Sequence, residues 1–244
     1  MFAEFENPPV PLRLQELIGS LQAGGVKWVI NTGRDMSSLQ ETLARSRLSI
    51  KPDYLVIVER EIYRHDNVSY VEHEEWNRRC TAAHTDLFRR VRLDVPRLIA
   101  WIEERFDAVL YEDYYSPFCL IAQSPRDAEA IHAFLDEYCA GAPDLVVVRN
   151  DVYARFSHVD FNKGTALSEI ARLHGIAPSA IFVAGDHLND VPMLSRQHAH
   201  WLAAPSNAID SVKALVKSQQ GHVSERHCGE GVLDALERLM GSAR

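Results

Sequence analysis

Residues Ile181 to Leu194, IFVAGDHLNDVPML, set Asp186, Asn189 and Asp190 just beyond an apolar run, with the two carboxylates four positions apart. A hard cation such as Mg²⁺ takes one or two carboxylate oxygens, retained waters and the oxygens of a bound phosphate, and this pair can supply the protein's share. The same residue types also make turns, and Asp190 equally suits the cap of a following helix. A second cluster, Thr32-Gly33-Arg34, follows the apolar run VKWVI. A hydroxyl, an approachable backbone N–H and a guanidinium beside a helix start suit an oxyanion, although a helix cap with an exposed arginine explains the three residues as well. The third is Lys163 in NKGTAL, at the start of a helical stretch. A lysine there opposes the helix dipole unless an anion neutralises it, the alternative being a solvated side chain.

These clusters need strands that end beside one another. Leu12, Leu14, Leu17, Ile18 and Leu21 have helical spacing before Gly24-Gly25; VKWVI reads as a strand, Ser37 to Ser46 as a helix and DYLVIV as a second buried strand. Helix and strand at this pitch predict an α/β domain with a parallel sheet. EIYRHDNVSYV reads as a hairpin turning at Asp66-Asn67. From about Glu74 the pattern changes to helices Trp76 to Val91 and Val95 to Phe106, then AVLYED and SPFCLIAQ parted by a turn at Tyr114 to Pro117. A helix Arg126 to Cys139 and the pair DLVVVRN and VYARFSHV, turning near Asn150-Asp151, complete a helix, hairpin, helix, hairpin unit. This is a small α+β domain inserted at 73–157 into a core made of 1–72 and 158–244. Alternation then returns with helix Lys163 to His174, strand AIFVAG, helix Val191 to Ser195, strand AHWLAA and helices Ala208 to Lys217 and Gly231 to Met240.

A composition of 46% hydrophobic and 25% charged residues is that of a folded globular chain. The net charge of -8 argues against nucleic acid or anionic lipid as the chief partner and leaves small molecules. Cys80, Cys119, Cys139 and Cys228 are widely spaced, without a zinc or disulfide pattern, and read as reduced thiols. His84, His132, His158, His187, His198 and His200 show no metal-ligand spacing, and only His187 falls near the proposed site. No apolar run approaches the roughly 20 residues a bilayer span needs, so a cytoplasmic location is the default expectation.

Taken in order, VINTGR, FNKGTAL and VAGDHLNDVPML resemble three of the four signature motifs of the haloacid dehalogenase superfamily, in the Cof-type and sucrose-phosphate-phosphatase-like form. WLAAPSNA and HCGEGVLDAL resemble later features of the same family. The resemblance implies a Rossmann-like α/β core and an inserted α+β cap of type C2 that selects a small phosphorylated metabolite, commonly a sugar phosphate, in a monomer or homodimer. It further implies that Thr32 and the Gly33 N–H hold the phosphoryl group with Arg34 beside them, and that Lys163 neutralises it. Asp186 ligates Mg²⁺, Asp190 ligates the metal or orients a bound water, and Asn189 contacts phosphate or metal. Phosphoryl transfer needs positioning and compensation of charge on the equatorial oxygens, which such groups provide.

One motif is missing. The family's first strand ends in Asp-x-Asp-Gly-Thr-Leu and carries the nucleophile, whereas no aspartate precedes Asp35 here. The covalent aspartyl-phosphate route has no nucleophile without it. FAEFENPPVPLRLQELIGSLQ resembles the connection that follows that strand, so the expectation is about ten further residues upstream of Met1, one strand and its loop. A non-catalytic relative that binds a phosphorylated ligand is the alternative. Glu59, Arg60 and Glu61 in VEREIY either face substrate or start a solvated hairpin. Tyr111, Glu112, Asp113, Tyr114 and Tyr115 either select substrate from the cap or form a surface turn.

Overall fold

The computed structural model describes residues 10–46 and 48–242; the proposed connection up to Pro9 lies outside them. Helix α1 (Leu12–Ala23) starts after Pro11 and stops at Gly24, and buries Leu14 and Ile18 against Leu233 of the last helix. Strand β1 (Val29–Asn31), helix α2 (Met36–Ser46) and strand β2 (Tyr54–Ile57) follow, with β1 and β2 parallel. β3 (Glu61–His65) and β4 (Tyr70–Glu72) extend this sheet antiparallel in the order β1-β2-β3-β4. Asp66 accepts the Val68 and Ser69 N–H groups and so sets the turn between them.

Next comes the α+β unit: α3 (Glu74–Val91), α4 (Val95–Glu103), β5 (Ala108–Asp113), β6 (Ser116–Ala122), α5 (Pro125–Ala140), β7 (Leu145–Asn150) and β8 (Tyr153–His158). Its antiparallel sheet has the order β5-β6-β8-β7. Leu98, Ile102, Phe118, Ile131, Leu135 and Phe156 fill the space between the sheet and its helices. On the other face Tyr111, Cys119, Arg155 and Val148 stand in register across the four strands. At the β5–β6 turn Asp113 accepts the N–H groups of Tyr115 and Ser116, and β6 begins at Ser116, the first residue of the run SPFCLIAQ.

The chain then forms α6 (Lys163–His174), β9 (Phe182–Ala184), β10 (Trp201–Ala204), α7 (Asp210–Ser218), β11 (His222–Val223) and α8 (Cys228–Ser242). β9, β10 and β11 form a second parallel sheet, and α6 packs Ala166 and Ile170 against Tyr54, Val56 and Ile62 of the first. The expected helix over Val191 to Ser195 is absent: a 3₁₀ turn covers Leu188–Asp190 and further turns follow. Asp190 directs its carboxylate back to the N–H groups of Asp186 and His187 rather than forward, and five uncapped residues are too few to sustain a helix. No described helix is long and apolar enough to cross a membrane, and the four cysteines are free thiols.

His84 of α3 is a buried polar junction with β8. Its Nε2 accepts the His158 backbone N–H at 3.1 Å, so Nδ1 carries the proton and donates to Cys80 O at 2.8 Å. Burial, with Arg60 nearby, lowers its pKa from 6.5 to about 3. Between those values the unfolded chain binds a proton that the folded one refuses, so stability is full above the unfolded value and falls with pH, by up to about 1.4 kcal/mol per unit. Urea midpoints measured from pH 7 to 5 should drop further for the wild type than for His84→Gln; parallel curves would contradict this assignment.

Candidate active site

Thr32, Gly33 and Arg34 leave β1 at its carboxyl end, where ligand-binding loops of parallel sheets lie. Thr32 N–H continues the ladder to Val56 O, and Thr32 Oγ1 accepts the Arg34 N–H at 3.2 Å. The cap of α2 is Asp35, which accepts the Ser38 N–H at 2.7 Å, so Thr-Gly-Arg is not itself the helix cap. The Gly33 N–H makes no hydrogen bond among the described residues. A Cβ on Gly33 would stand 2.8 Å from Glu59 Oε1, which is why the loop carries glycine there. Arg34 is exposed and donates to Ser38 Oγ.

Lys163 is the first residue of α6, whose N-cap is Asn162 in a reciprocal pair with Thr165. It is 4% exposed, which excludes the solvated lysine. Its Nζ donates to Asp190 Oδ1 at 2.6 Å, and both side chains are nearly enclosed. The anion that the helix start calls for is therefore a carboxylate of the protein. Asn31 at the end of β1 donates to Lys163 O at 2.9 Å, while its Oδ1 is buried without a partner among the described residues.

β9 delivers the third segment. Gly185 allows the chain to pass over Asp190, whose Cβ would be 2.5 Å from a Cβ at that position. Asp190 Oδ2 accepts the Asp186 N–H at 2.8 Å and the His187 N–H at 3.2 Å. With Oδ1 on Lys163, both of its oxygens hold hydrogen bonds. The Asp186 carboxyl opens into the cavity yet is crowded by protein; this partial desolvation, and then the charge of Asp190, raise its pKa. Asn189 is buried and donates to Glu59 Oε1 at 3.0 Å.

All seven residues singled out in the sequence line one cavity of about 860 Å³, together with Glu59, His187 and the Tyr111, Cys119 and Arg155 face of the antiparallel sheet. Among the described residues no group of three or more His, Cys, Asp or Glu side chains is arranged to hold a metal by itself. Asp186, a crowded carboxylate facing that of Asp190, nonetheless suits a cation that keeps most of its shell as water and substrate oxygen.

Of the neighbours, Arg155 was not legible as a site residue, and Glu59 only as one of two alternatives. Glu59 and Arg60 are 6% and 4% exposed, so the VEREIY segment is no solvated hairpin start at these positions. Val58 and Glu59 adopt φ of 43° and 68°, a strain of about 1–3 kcal/mol each that persists only where surroundings enforce it. Arg155 lies inside β8, and only its alternation with Tyr153 along the strand hinted at a shared face. Tyr111, Asp113 and Tyr115 line the cavity, whereas Glu112 and Tyr114 do not.

A parallel α/β core that shares a single cavity with an inserted antiparallel α+β unit defines the class of capped Rossmann-like proteins. Within that class the chain belongs to the haloacid dehalogenase-like hydrolases, whose family pattern matches residues 102–236, more than half of its length. It is 26% identical over 137 residues to a phosphoglycolate phosphatase of Methanococcoides burtonii, covering 56% of each chain. It is 30% identical over 95 residues to another of Nitrosopumilus maritimus, covering 38% of each. The chain thus spans about half or less of the length of the curated relatives it matches. The structure is similar to the sucrose-phosphatase of Synechocystis in complex with sucrose and phosphate, with a TM-score of 0.70 at 20% identity over 93% of this chain and 89% of that one. A haloacid dehalogenase subclass IIB sugar phosphatase gives a TM-score of 0.60 at 18% identity over 96% and 94%. These likenesses establish the fold, a Rossmann-like core with an inserted α+β cap.

Proposed function

We propose that this chain is a Mg²⁺-dependent phosphomonoester hydrolase acting on a small phosphorylated metabolite, with residues 73–157 as the cap. The observation that carries the reading is one cavity lined by Thr32, Gly33, the enclosed Lys163–Asp190 pair and Asp186. Thr32 and Gly33 donate to the phosphoryl oxygens, Lys163 compensates their charge while Asp190 fixes its ammonium, and Asn189 adds an amide donor. Asp186 holds the cation, which when bound supplies charge neutralisation at the transferring group. The leaving group is a neutral, hydroxyl-rich body, a sugar in the simplest case. The inserted sheet offers Tyr111, Asp113, Tyr153 and Cys119 to the cavity, and its one cavity-lining cation among the described residues, Arg155, is paired with Glu59.

The nucleophile in this reading is an aspartate of an Asp-x-Asp strand upstream of Met1. It attacks phosphorus, the ester oxygen leaves with a proton, and water then hydrolyses the aspartyl phosphate. Among the described residues β1 and β9 each pair with one strand only, and each delivers a site loop, which supports a strand between them. The test compares the 244-residue protein with the product of the gene read upstream, on p-nitrophenyl phosphate with Mg²⁺ and with EDTA. The extended protein is expected to turn over only with Mg²⁺ and the 244-residue chain hardly at all. An inactive extended protein that bears Asp-x-Asp would defeat the reading, and phosphate-dependent thermal stabilisation without turnover would replace it with ligand binding.

Asp186→Asn should abolish the response to Mg²⁺ and, in EDTA, leave stability unchanged or slightly raised, because it removes a crowded charge facing Asp190. Thermal melts with and without the metal measure both. A variant that still gains stability from Mg²⁺ would place the cation elsewhere.

A further inference from the structure

The β2–β3 turn links the two halves of the cavity in a way that hydrolysis, as proposed, does not use. Its central residues, Val58 and Glu59, occupy the left-handed positions that Asn-Gly ordinarily fills in a two-residue hairpin. The backbone is pinned there: the Val58 N–H donates to Arg34 O and the Glu59 N–H to Thr32 O, each at 2.9 Å. From this fixed base two consecutive charged side chains reach the inserted sheet. Glu59 Oε2 accepts from Arg155 Nη2 at 2.9 Å, and its Oε1 accepts from Asn189. Arg155 Nη2 also donates to Gly33 O at 3.2 Å. Arg60 donates from Nη2 to Tyr115 O at 2.7 Å and from Nη1 to Ser157 Oγ at 3.3 Å. Arg155 and Ser157 belong to β8, and Tyr115 to the β5–β6 turn, so both prongs engage the same sheet from one anchor.

We infer that residues 58–60 form a two-pronged clasp that holds the inserted sheet over the cavity, with Glu59 as a positioning residue that makes the placement of Asn189 conditional on Arg155. The part concerning Asn189 rests on the phosphate-handling role proposed above; the clasp does not. A carboxylate binds the two donors at once, one on each oxygen. Glutamine keeps the shape but turns an NH₂ group toward one of them, so one link must break. When Arg155 loses Glu59 the sheet is loosened on that side, held by the Arg60 prong and the Gly33 contact alone, and when Asn189 loses it the amide no longer has a fixed orientation. Docking of the sheet and ordering of the anion site are then a single event.

The 244-residue protein, Glu59→Gln, Arg155→Met and the double variant test this with two readouts. The first is alkylation of Cys119 by iodoacetamide, quantified by peptide mass. Cys119 is 2% exposed, pairs in register with Arg155 and lines the cavity. Cys139, on α5 and outside that lining, is the internal reference. Each single variant is expected to speed Cys119 alkylation about tenfold, with little further gain in the double variant and no change at Cys139. An unchanged Cys119 rate overturns the clasp, and Glu59→Gln decides this alone should Arg155→Met fail to fold. The second readout is inorganic phosphate binding by calorimetry in Mg²⁺, expected to weaken about tenfold in Glu59→Gln. Unchanged phosphate affinity in a variant with faster Cys119 alkylation overturns the positioning role of Glu59. A wild-type protein that binds no phosphate overturns the phosphate-handling role instead, and the Cys119 readout still decides the clasp.

Discussion

Lys163→Met is expected to lower the unfolding free energy by about 3–5 kcal/mol, read from urea denaturation at neutral pH, because it leaves the Asp190 charge enclosed without its cation. The pair is close, at 2.6 Å, and the two side chains are 5% and 7% exposed, so water cannot take over the role of the ammonium. The two backbone N–H groups on Oδ2 keep the carboxylate in place but do not neutralise it. The sign of the double variant separates this cause from simple loss of packing. Lys163→Met/Asp190→Asn removes both charges and keeps an oxygen for the Asp186 and His187 N–H groups, so it should recover much of the loss. A single variant that costs under about 1 kcal/mol would mean that the pair behaves as a solvated surface bridge.

Gly164→Ala should be comparably damaging, about 3 kcal/mol or more, for a steric reason one residue away. A Cβ at Gly164 would stand 2.4 Å from Pro192 O and 2.7 Å from His198 Cδ2 and Nε2. The nearest of these atoms is backbone and cannot rotate aside. Relief requires α6 to move away from the Asp190 to Met193 segment, which would also separate Lys163 from Asp190. The exposed glycine Gly241 meets nothing within 4 Å, so Gly241→Ala is the matched control and should be neutral or slightly stabilising. Chemical denaturation of the two variants side by side measures the contrast; equal effects would show that α6 is not seated as described.

The sequence revealed the elements whose signals are local. The apolar spacing and Gly24-Gly25 placed α1, and the apolar runs parted by turns placed the four strands of the inserted unit. Motif order likewise placed Thr32 and Asp186 just past the carboxyl ends of parallel strands, where ligand loops lie, and Lys163 at the start of a helix, and all three line one cavity. What stayed hidden depends on partners far along the chain. Asp190 reads as a helix cap from its neighbours, yet Lys163, 27 positions away, and the N–H groups behind it claim its carboxylate. Glu59 and Arg155 are 96 positions apart, and no local periodicity links a hairpin turn to the middle of an inserted strand. β11 has two residues, too few for any alternation to register.

The division of the parallel strands into two sheets bears on how the protein behaves at high concentration. β1 and β9 are three residues each and present one unpaired edge apiece among the described residues. An edge strand is a row of free N–H and C=O groups, able to recruit the backbone of another chain. Asn31 borders the first of these edges and carries a buried acceptor without a donor. Their shortness limits how many hydrogen bonds a foreign strand gains, a recognised protection against edge-to-edge growth. Residues that lengthen either edge are therefore expected to raise the tendency of the 244-residue protein to associate edge to edge at high concentration.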